Sequence, residues 1–354
     1  MSTTIVLKDT CCLGHVMHHG HPESPERLEF IYDMLKGADM RGLFKEIVPR
    51  RATKEEIALN HSKAYIDLIA ETSGKPNMSL DPDTATSAGS WEAATCAVGA
   101  VLDGIDMILS GQADNGFALV RPPGHHAENG HAMGFCLFNN AAIGAHYLIE
   151  KHKLQRVLLI DWDIHHGNGT QHSFYTNPQV LYFSTHQYPY YPGTGAFEET
   201  GKNAGLGFNV NVPLSGGQGD SDYISIFNQI LVPLALEYKP EFVLVSAGYD
   251  IYQHDPLGTM DVTPQGFYLM TRIIRQLSET ICGGRLLLTL EGGYHVQGIA
   301  ESVKQTLLAL RDREPAHAGS SVNLIENCRP LPVSLSIIEK VKQVHSANWP
   351  VFRQ

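Results

Sequence analysis

The chain has 354 residues, with 26 Lys and Arg against 37 Asp and Glu for a formal charge of −11. That length can bury a sizeable core as one large α/β domain or as two ordinary ones. The acidic balance argues against a broad phosphate-binding surface, so nucleic acid is not expected as a partner, whereas a cationic peptide or amine would be attracted.

The start, MSTTIVLKDTCC, has no basic region followed by an apolar stretch, and no run approaches the roughly 18 apolar residues of a membrane span. Six cysteines (Cys11, Cys12, Cys96, Cys136, Cys282 and Cys328) include an adjacent pair but no CxxC, which favours reduced thiols over a zinc ribbon or a redox motif. A non-secreted, cytoplasmic protein without membrane association is expected, with self-association left open. The first histidine-rich piece, HVMHHGHPE, offers His15, His18, His19 and His21. Pro22 and Gly20 make it an irregular loop rather than a ligand-bearing helix face.

Short apolar runs follow at GFALV (116–120), RVLLI (156–160), QVLYF (179–183), FVLVS (242–246) and RLLLTL (285–290). They read as strands buried on both faces. Helical stretches are predicted before them over Gly89–Leu109, Asn139–Lys151, Asp220–Tyr238 and Pro264–Ile281. Alternation of this kind implies a parallel sheet with right-handed crossovers. Asp220 is expected to be an N-cap, and Pro264 after Thr263 has the place of Pro at N1. No linker divides 1–312, which is therefore read as one domain. REPAHAGSS (313–321) is the candidate break, and 313–354 an extension with a last helix near Ser334–Val344.

In such a sheet ligands bind beyond the carboxyl ends of the strands. The five runs are followed by RPPGHH, DWDIHHGNG, STHQ, AGYD and EGGY, which would assemble one site. In extended backbone Asp161, Asp163 and His165 share one side, and Trp162 and Ile164 the other. Asp163 and His165, with Asp250 at the end of FVLVSAGYD, supply three ligands with a position left open, the pattern of a catalytic metal. This N/O set suits Zn²⁺, and ligand type alone also admits Fe²⁺, Co²⁺ or Mn²⁺.

Hydrolysis assisted by a metal still needs a base and an acid. His125 and His126 can divide that work if their partners set their pKa values apart. Asp161 could hold one imidazole protonated, while Asn168 could orient the other without adding charge. Tyr294, after the double glycine of EGGYH, could donate a hydrogen bond to an oxyanion. His131 is expected to be solvent-exposed, and His166 to point away from the metal.

RPPGHHAENGHAMGFCLFNNAA, DWDIHHGNGTQ, SAGYD with DPLG, and LEGGY, in this order, resemble the histone deacetylases and the bacterial deacetylase-like amidohydrolases, nearest the class II type. HPESPERL (21–28) resembles the family's N-terminal segment, and the similarity spans residues 15–310. The resemblance implies an arginase/deacetylase α/β fold, a single domain with a central parallel sheet of about eight strands. It implies zinc-dependent hydrolysis of an acylated amine, with Asp163, His165 and Asp250 as ligands. His126 would be the general base, His125 with Asp161 the electrostatic partner or acid, and Tyr294 would polarise the acyl carbonyl. The acyl channel would be lined by Phe135 and Tyr191, with Gly134 beside them, and Asp83 of LDPDT would grip the substrate backbone at the rim.

The same resemblance implies structural K⁺ at Asp161, Asp163, His165, Ser184 and Thr185, and a second K⁺ at carbonyls of Phe174, Asn177, Val180 and Phe208. Asn168 stands where class I members carry Asp, and Tyr191 replaces a commoner Phe. Leu257 of DPLG occupies a position where polyamine-selective relatives can carry an acidic gatekeeper, which favours acetyl-lysine in a peptide or protein over an acetylpolyamine or other small amide. Two further readings compete: a catalytically silent acyl-lysine binding module, and a two-metal ureohydrolase. The second would need bridging carboxylates where this sequence has YDIYQHDP.

Overall fold

The computed structural model describes residues 3–312 and 329–353. Eight strands form one parallel sheet: β1 (Thr4–Leu7), β2 (Lys45–Ile47), β5 (Asn115–Ala118), β6 (Val157–Asp161), β7 (Val180–Gln187), β8 (Asn209–Leu214), β9 (Phe242–Ala247) and β10 (Leu286–Leu290). A short antiparallel pair, β3 (Met78–Ser79) and β4 (Ala85–Thr86), stands apart from it. The order in the main sheet is β2-β1-β5-β10-β9-β6-β7-β8. The five runs predicted as buried strands are strands, and β5, β6, β9 and β10 are buried along their whole length, as a sheet covered by helices on both faces requires.

Three strands of the main sheet escape sequence reading for separate reasons. β1 is only four residues long, and β2 is an exposed edge whose residues are Lys, Glu and Ile. β8 reads NVNVPL, which looks half-solvated, yet Asn209 and Asn211 are buried because both side-chain amides donate to Gln171 Oε1, at 2.7 and 2.8 Å. Its Pro213 is accommodated because β8 is the last strand of the sheet.

The helices Ser90–Leu109, Asn140–Glu150 and Pro264–Cys282 form as expected, the last capped by the Thr263 side chain with Pro264 at N1. The predicted helix 220–238 is Asp220–Ile226 and Val232–Tyr238 joined by a π-turn at Phe227–Leu231. Its N-cap is Gly219, not Asp220. The Asp220 carboxylate accepts instead from Thr263 N and Oγ1, at 2.8 and 2.7 Å, tying this helix to the next crossover. Segment 313–321, read as a break, lies outside the described residues. Helix Pro332–His345 follows, anchored where Leu331 N donates to Asp222 Oδ1 at 2.7 Å and Trp349 Nε1 to Gly207 O at 2.7 Å. Among the described residues no helix is long and apolar enough to cross a membrane.

Candidate active site

β5, β10, β9 and β6 are consecutive neighbours in the sheet. Their carboxyl ends therefore bring together segments starting at residues 121, 291, 248 and 162, far apart in sequence. The β7 end itself, STHQ, does not reach the pocket: Ser184 Oγ pairs with His186 Nδ1 at 2.9 Å, and His186 Nε2 with Gly195 O at 2.8 Å. Four strand ends supply the histidines, the ligand group and Tyr294, while the segment after β7 adds Tyr191 to the pocket wall.

β6 ends at Asp161, so the backbone beyond is a series of bends rather than the extended strand expected from sequence. Side chains still segregate, because each carboxylate turns back on the chain. Asp161 Oδ1 accepts from Asp163 N at 3.1 Å, and Asp163 Oδ1 from His165 N at 2.9 Å. Trp162 and Ile164 fill the core. Asp163, His165 and Asp250 present ligand atoms within 4.8 Å of one another. Asp250 Oδ1 accepts from Ile164 N at 2.9 Å. Its other oxygen is buried without a hydrogen-bond partner, since the nearby His165 Nδ1, 3.2 Å away, bonds Asp163 Oδ1. Burial and the adjacent Asp163 push Asp250 up to about 7. Two buried carboxylates sharing one imidazole, with an oxygen left over, fit a divalent cation with N/O preference.

The two tandem histidines, with ring centroids 4.0 Å apart, diverge in environment. Burial alone would lower His125, but Asp161 and Asp163 raise it to about 10. Its Nδ1 lies 3.1 Å from Asp161 Oδ2, which also accepts from Tyr182 Oη at 2.9 Å. Burial and the charges of His125 and His165 drive His126 well below the ordinary histidine value. Its Nδ1 meets Asn168 Oδ1 at 2.8 Å. Asn168 is in turn fixed by donating to Glu128 Oε1 at 2.6 Å, so Nδ1 of His126 carries the hydrogen and Nε2 is the free base.

The pocket above is lined by Asp83, His126, Gly134, Phe135, His165, Tyr191, Leu257 and Tyr294. Every residue expected in the acyl channel is there. Tyr191 meets the His126 ring edge-on, centroids 5.1 Å apart, and Phe135 meets Tyr294 likewise at 5.9 Å. Phe135 is held at φ 67°, a left-handed conformation uncommon for an aromatic residue. Gly134 before it has φ 55° and lies so close to the His126 ring that no Cβ would fit. Asp83, in the turn between β3 and β4, holds this loop by accepting from Gly134 N at 3.2 Å. Tyr294 is kept a neutral phenol chiefly by burial, against the opposing charge of Arg27, whose guanidinium lies 4.9 Å from the ring centroid. Gly292, packed against both ligand carboxylates, donates its N–H to Asp163 Oδ2 at 2.8 Å, so the double glycine does allow close approach.

His166 turns away, bonding Thr194 Oγ1 at 2.7 Å and Gln171 Oε1 at 3.0 Å, and His131 is exposed. His21 of the first histidine-rich loop meets the outer edge of Phe135, centroids 4.7 Å apart. Of the residues named for potassium, Asp161 and Ser184 are paired across β6 and β7, and Thr185 Oγ1 beside them is buried without a partner. In the second set, Phe174 O accepts from Asn177 N and Phe208 O from Tyr182 N, both at 2.9 Å, and Val180 begins β7.

Sequence reasoning missed four supports. Glu291 Oε2 accepts from Gly124 N at 2.6 Å and His125 N at 3.2 Å, while its Oε1 accepts from Ser246 Oγ at 2.9 Å. Asp255 Oδ2 accepts from Tyr294 N at 2.6 Å and His295 N at 3.1 Å. Glu128 fixes Asn168, and Tyr182 fixes Asp161. The only signal for Glu291 was its place as the first residue after a buried strand; the others act across segments no spacing connects.

Residues 21–310 match the family described as histone deacetylase domain. The chain belongs to the histone deacetylase family. Its relatives place it on the class II side, which includes acetylpolyamine amidohydrolase-like members. The chain is 44% identical to histone deacetylase 15 of Arabidopsis thaliana over 93% of its length and 59% of that protein's. It is 38% identical to human polyamine deacetylase HDAC10, over 94% of this chain and 50% of the relative. A probable deacetylase of Archaeoglobus fulgidus is 36% identical over 96% and 97% of the two chains. Thus the chain spans half to three-fifths of the plant and human relatives and nearly all of the archaeal one. Among solved structures, the crystal structure of the HDA15 HD domain superposes with a TM-score of 0.90 at 39% identity, covering 99% of this chain and 96% of the other. The arginase/deacetylase fold expected of a histone deacetylase relative is the fold observed.

Proposed function

We propose that the protein hydrolyses the amide of an acylated primary amine, acetyl-lysine in a peptide or protein by preference, to a carboxylate and a free amine. The observation that carries this is the convergence, in one aromatic-walled pocket, of an Asp163/His165/Asp250 ligand group with two imidazoles of opposite protonation preference. Zn²⁺ held by those three side chains would polarise the acyl carbonyl and acidify water.

The chain's own residues do the rest. His126, neutral with Nε2 free, takes the proton of the attacking water. His125, kept cationic by Asp161, stabilises negative charge and can supply a proton to the departing amine. Tyr294 Oη donates a hydrogen bond to the oxyanion as it forms, and Phe135 and Tyr191 confine the acyl-bearing methylene chain between apolar faces. Asp83 at the rim takes the substrate backbone. K⁺ near Ser184 and Thr185 and near Phe174, Asn177, Val180 and Phe208 is part of the same reading; the unpartnered Thr185 Oγ1 supports the first.

Residues 1–312 are assigned as the catalytic domain and 313–354 as an extension, whose helix Pro332–His345 packs on the domain. A cytoplasmic setting is supported by five free cysteines among the described residues. Asp255 counts against a two-metal ureohydrolase, since its oxygens are used by the amides of Leu257, Tyr294 and His295. The full complement of ligands, histidines and tyrosine argues against a silent binding module, which absence of both bound zinc and acetate release would restore.

An acetylpolyamine substrate is the second reading, favoured by similarity to a polyamine deacetylase. Leu257 in the pocket wall offers no charge to a polyamine and favours the lysine side chain. The ratio of kcat/KM for an acetyl-lysine peptide over an N-acetylpolyamine decides between them, a large preference for the polyamine reversing the order. For the mechanism, Tyr294→Phe is expected to keep its zinc while kcat falls about 10²–10³-fold, the usual cost of losing one oxyanion donor. Unchanged turnover would remove Tyr294 from the mechanism.

A further inference from the structure

Three cysteines form a second ligand group, this one of soft sulfurs, outside the catalytic pocket. The Sγ atoms of Cys11, Cys12 and Cys96 all lie within 4.8 Å of one another, and those of Cys11 and Cys12 are 4.0 Å apart. The chain builds this arrangement from two segments. Asp9 caps the short 3-10 turn Thr10–Gly14, its Oδ1 accepting from Cys11 N at 2.9 Å and its carbonyl from Cys12 N at 3.2 Å. The third thiol comes from the helix Ser90–Leu109, whose start at Gly89 packs directly on the backbone of Gly14. Cys12 and Cys96 are fully buried, while Cys11 is partly exposed and gives access from solvent.

We propose that this triad binds one thiophilic d¹⁰ metal ion, zinc in the first place, through its three sulfurs. With Zn–S near 2.3 Å, thiolates on one zinc are about 3.8–4.0 Å apart, so Cys11 and Cys12 already stand at coordination distance and Cys96 needs only a small side-chain adjustment. A disulfide would use two of the sulfurs; a third held within 4.8 Å of both is what a metal uses. The ion displaces the thiol protons to solvent, and three thiolates around a dication leave one net negative charge. Arg51, in electrostatic reach of Cys11 and Cys96 and held by Asp9 at 3.1 Å, offsets it, as does Arg121, which donates to Cys12 O at 3.0 Å. The half-open side at Cys11 leaves the fourth position to solvent. The all-sulfur set also differs in preference from Asp163, His165 and Asp250, so softer ions sort to the cysteines.

The test is a Cd²⁺ titration of the reduced full chain supplied with one equivalent of zinc, read by the ultraviolet thiolate-to-cadmium charge-transfer band. Carboxylate and imidazole ligands give no such band. One Cd²⁺ per chain is expected to saturate it. Cys11→Ser and Cys96→Ser should each weaken binding by more than the ~10–100-fold that a lost supporting hydrogen bond costs at a metal site, whereas Cys282→Ser and Asp250→Asn leave it intact. Bound Cd²⁺ should also protect Cys11 of the wild type from alkylation, mapped by mass spectrometry, and this measurement decides if a variant fails to fold. No band in the wild type, equal bands in both triad variants, or unchanged alkylation of Cys11 would each overturn the proposal.

Discussion

His125 and His126 are neighbours in sequence with rings 4.0 Å apart, yet one is driven toward the cation and the other toward the neutral base. The difference comes from what faces each Nδ1: a buried carboxylate at Asp161, itself braced by Tyr182, against a neutral amide at Asn168, braced by Glu128. His165 and His166 repeat the lesson in another form. The first enters the ligand group and the second bonds Thr194 and Gln171 behind it. Adjacent identical residues acquire different chemistry because their side chains leave the backbone toward different neighbours, and in a buried site a single neighbouring charge outweighs the intrinsic pKa.

The largest test of the contrast is removal of the base. His126→Ala is expected to lower kcat about 10²–10⁴-fold, the range for loss of general base catalysis, with zinc content unchanged; a small loss would move that role to His125. A subtler test makes the two environments alike. Asn168→Asp places a carboxylate on His126 and should raise its pKa by about 1–3 units. In the wild type the depressed pKa keeps His126 deprotonated, so activity falls only when pH drops through that low value. In the variant the acid limb of kcat/KM moves upward by the same interval, read from a pH–rate profile. A limb that stays in place would mean His126 is not the base whose protonation limits the rate. The smallest effect is expected from the third histidine of the same stretch: exposed His131, changed to Ala, should alter stability by no more than ~0.5 kcal/mol and leave kcat/KM unchanged.

Much of this was legible in the residues. Buried parallel strands announce themselves as apolar runs because both faces are covered, and β5, β6, β7, β9 and β10 do so. Ligand-type residues stand out against those runs, which is why Asp163, His165, Asp250 and the tandem histidines are conspicuous in the sequence alone. β8 was hidden because its asparagines are satisfied by Gln171, a residue on another element. Asp220 misled because an acidic residue near a helix start serves a cap or a neighbour equally well, and here Thr263 claimed it. The expected extended strand through His165 was replaced by carboxylate-turned bends, which reached the same segregation of side chains by local hydrogen bonds instead of pleat.

By itself the sequence determined the five buried strands, the helices between them and the chemistry at their ends, since hydrophobic periodicity, Pro and Gly positions and ligand types are local properties of the chain. Only the tertiary structure decided that β10 and β9 insert between β5 and β6, so that Glu291, Tyr294 and Asp250 arrive beside His125 and Asp163. It also decided which oxygen is left without a partner, which imidazole is charged, and that Cys96 meets Cys11 and Cys12. Those outcomes depend on burial and on distances between residues far apart in sequence, and both are set by how the strands are ordered.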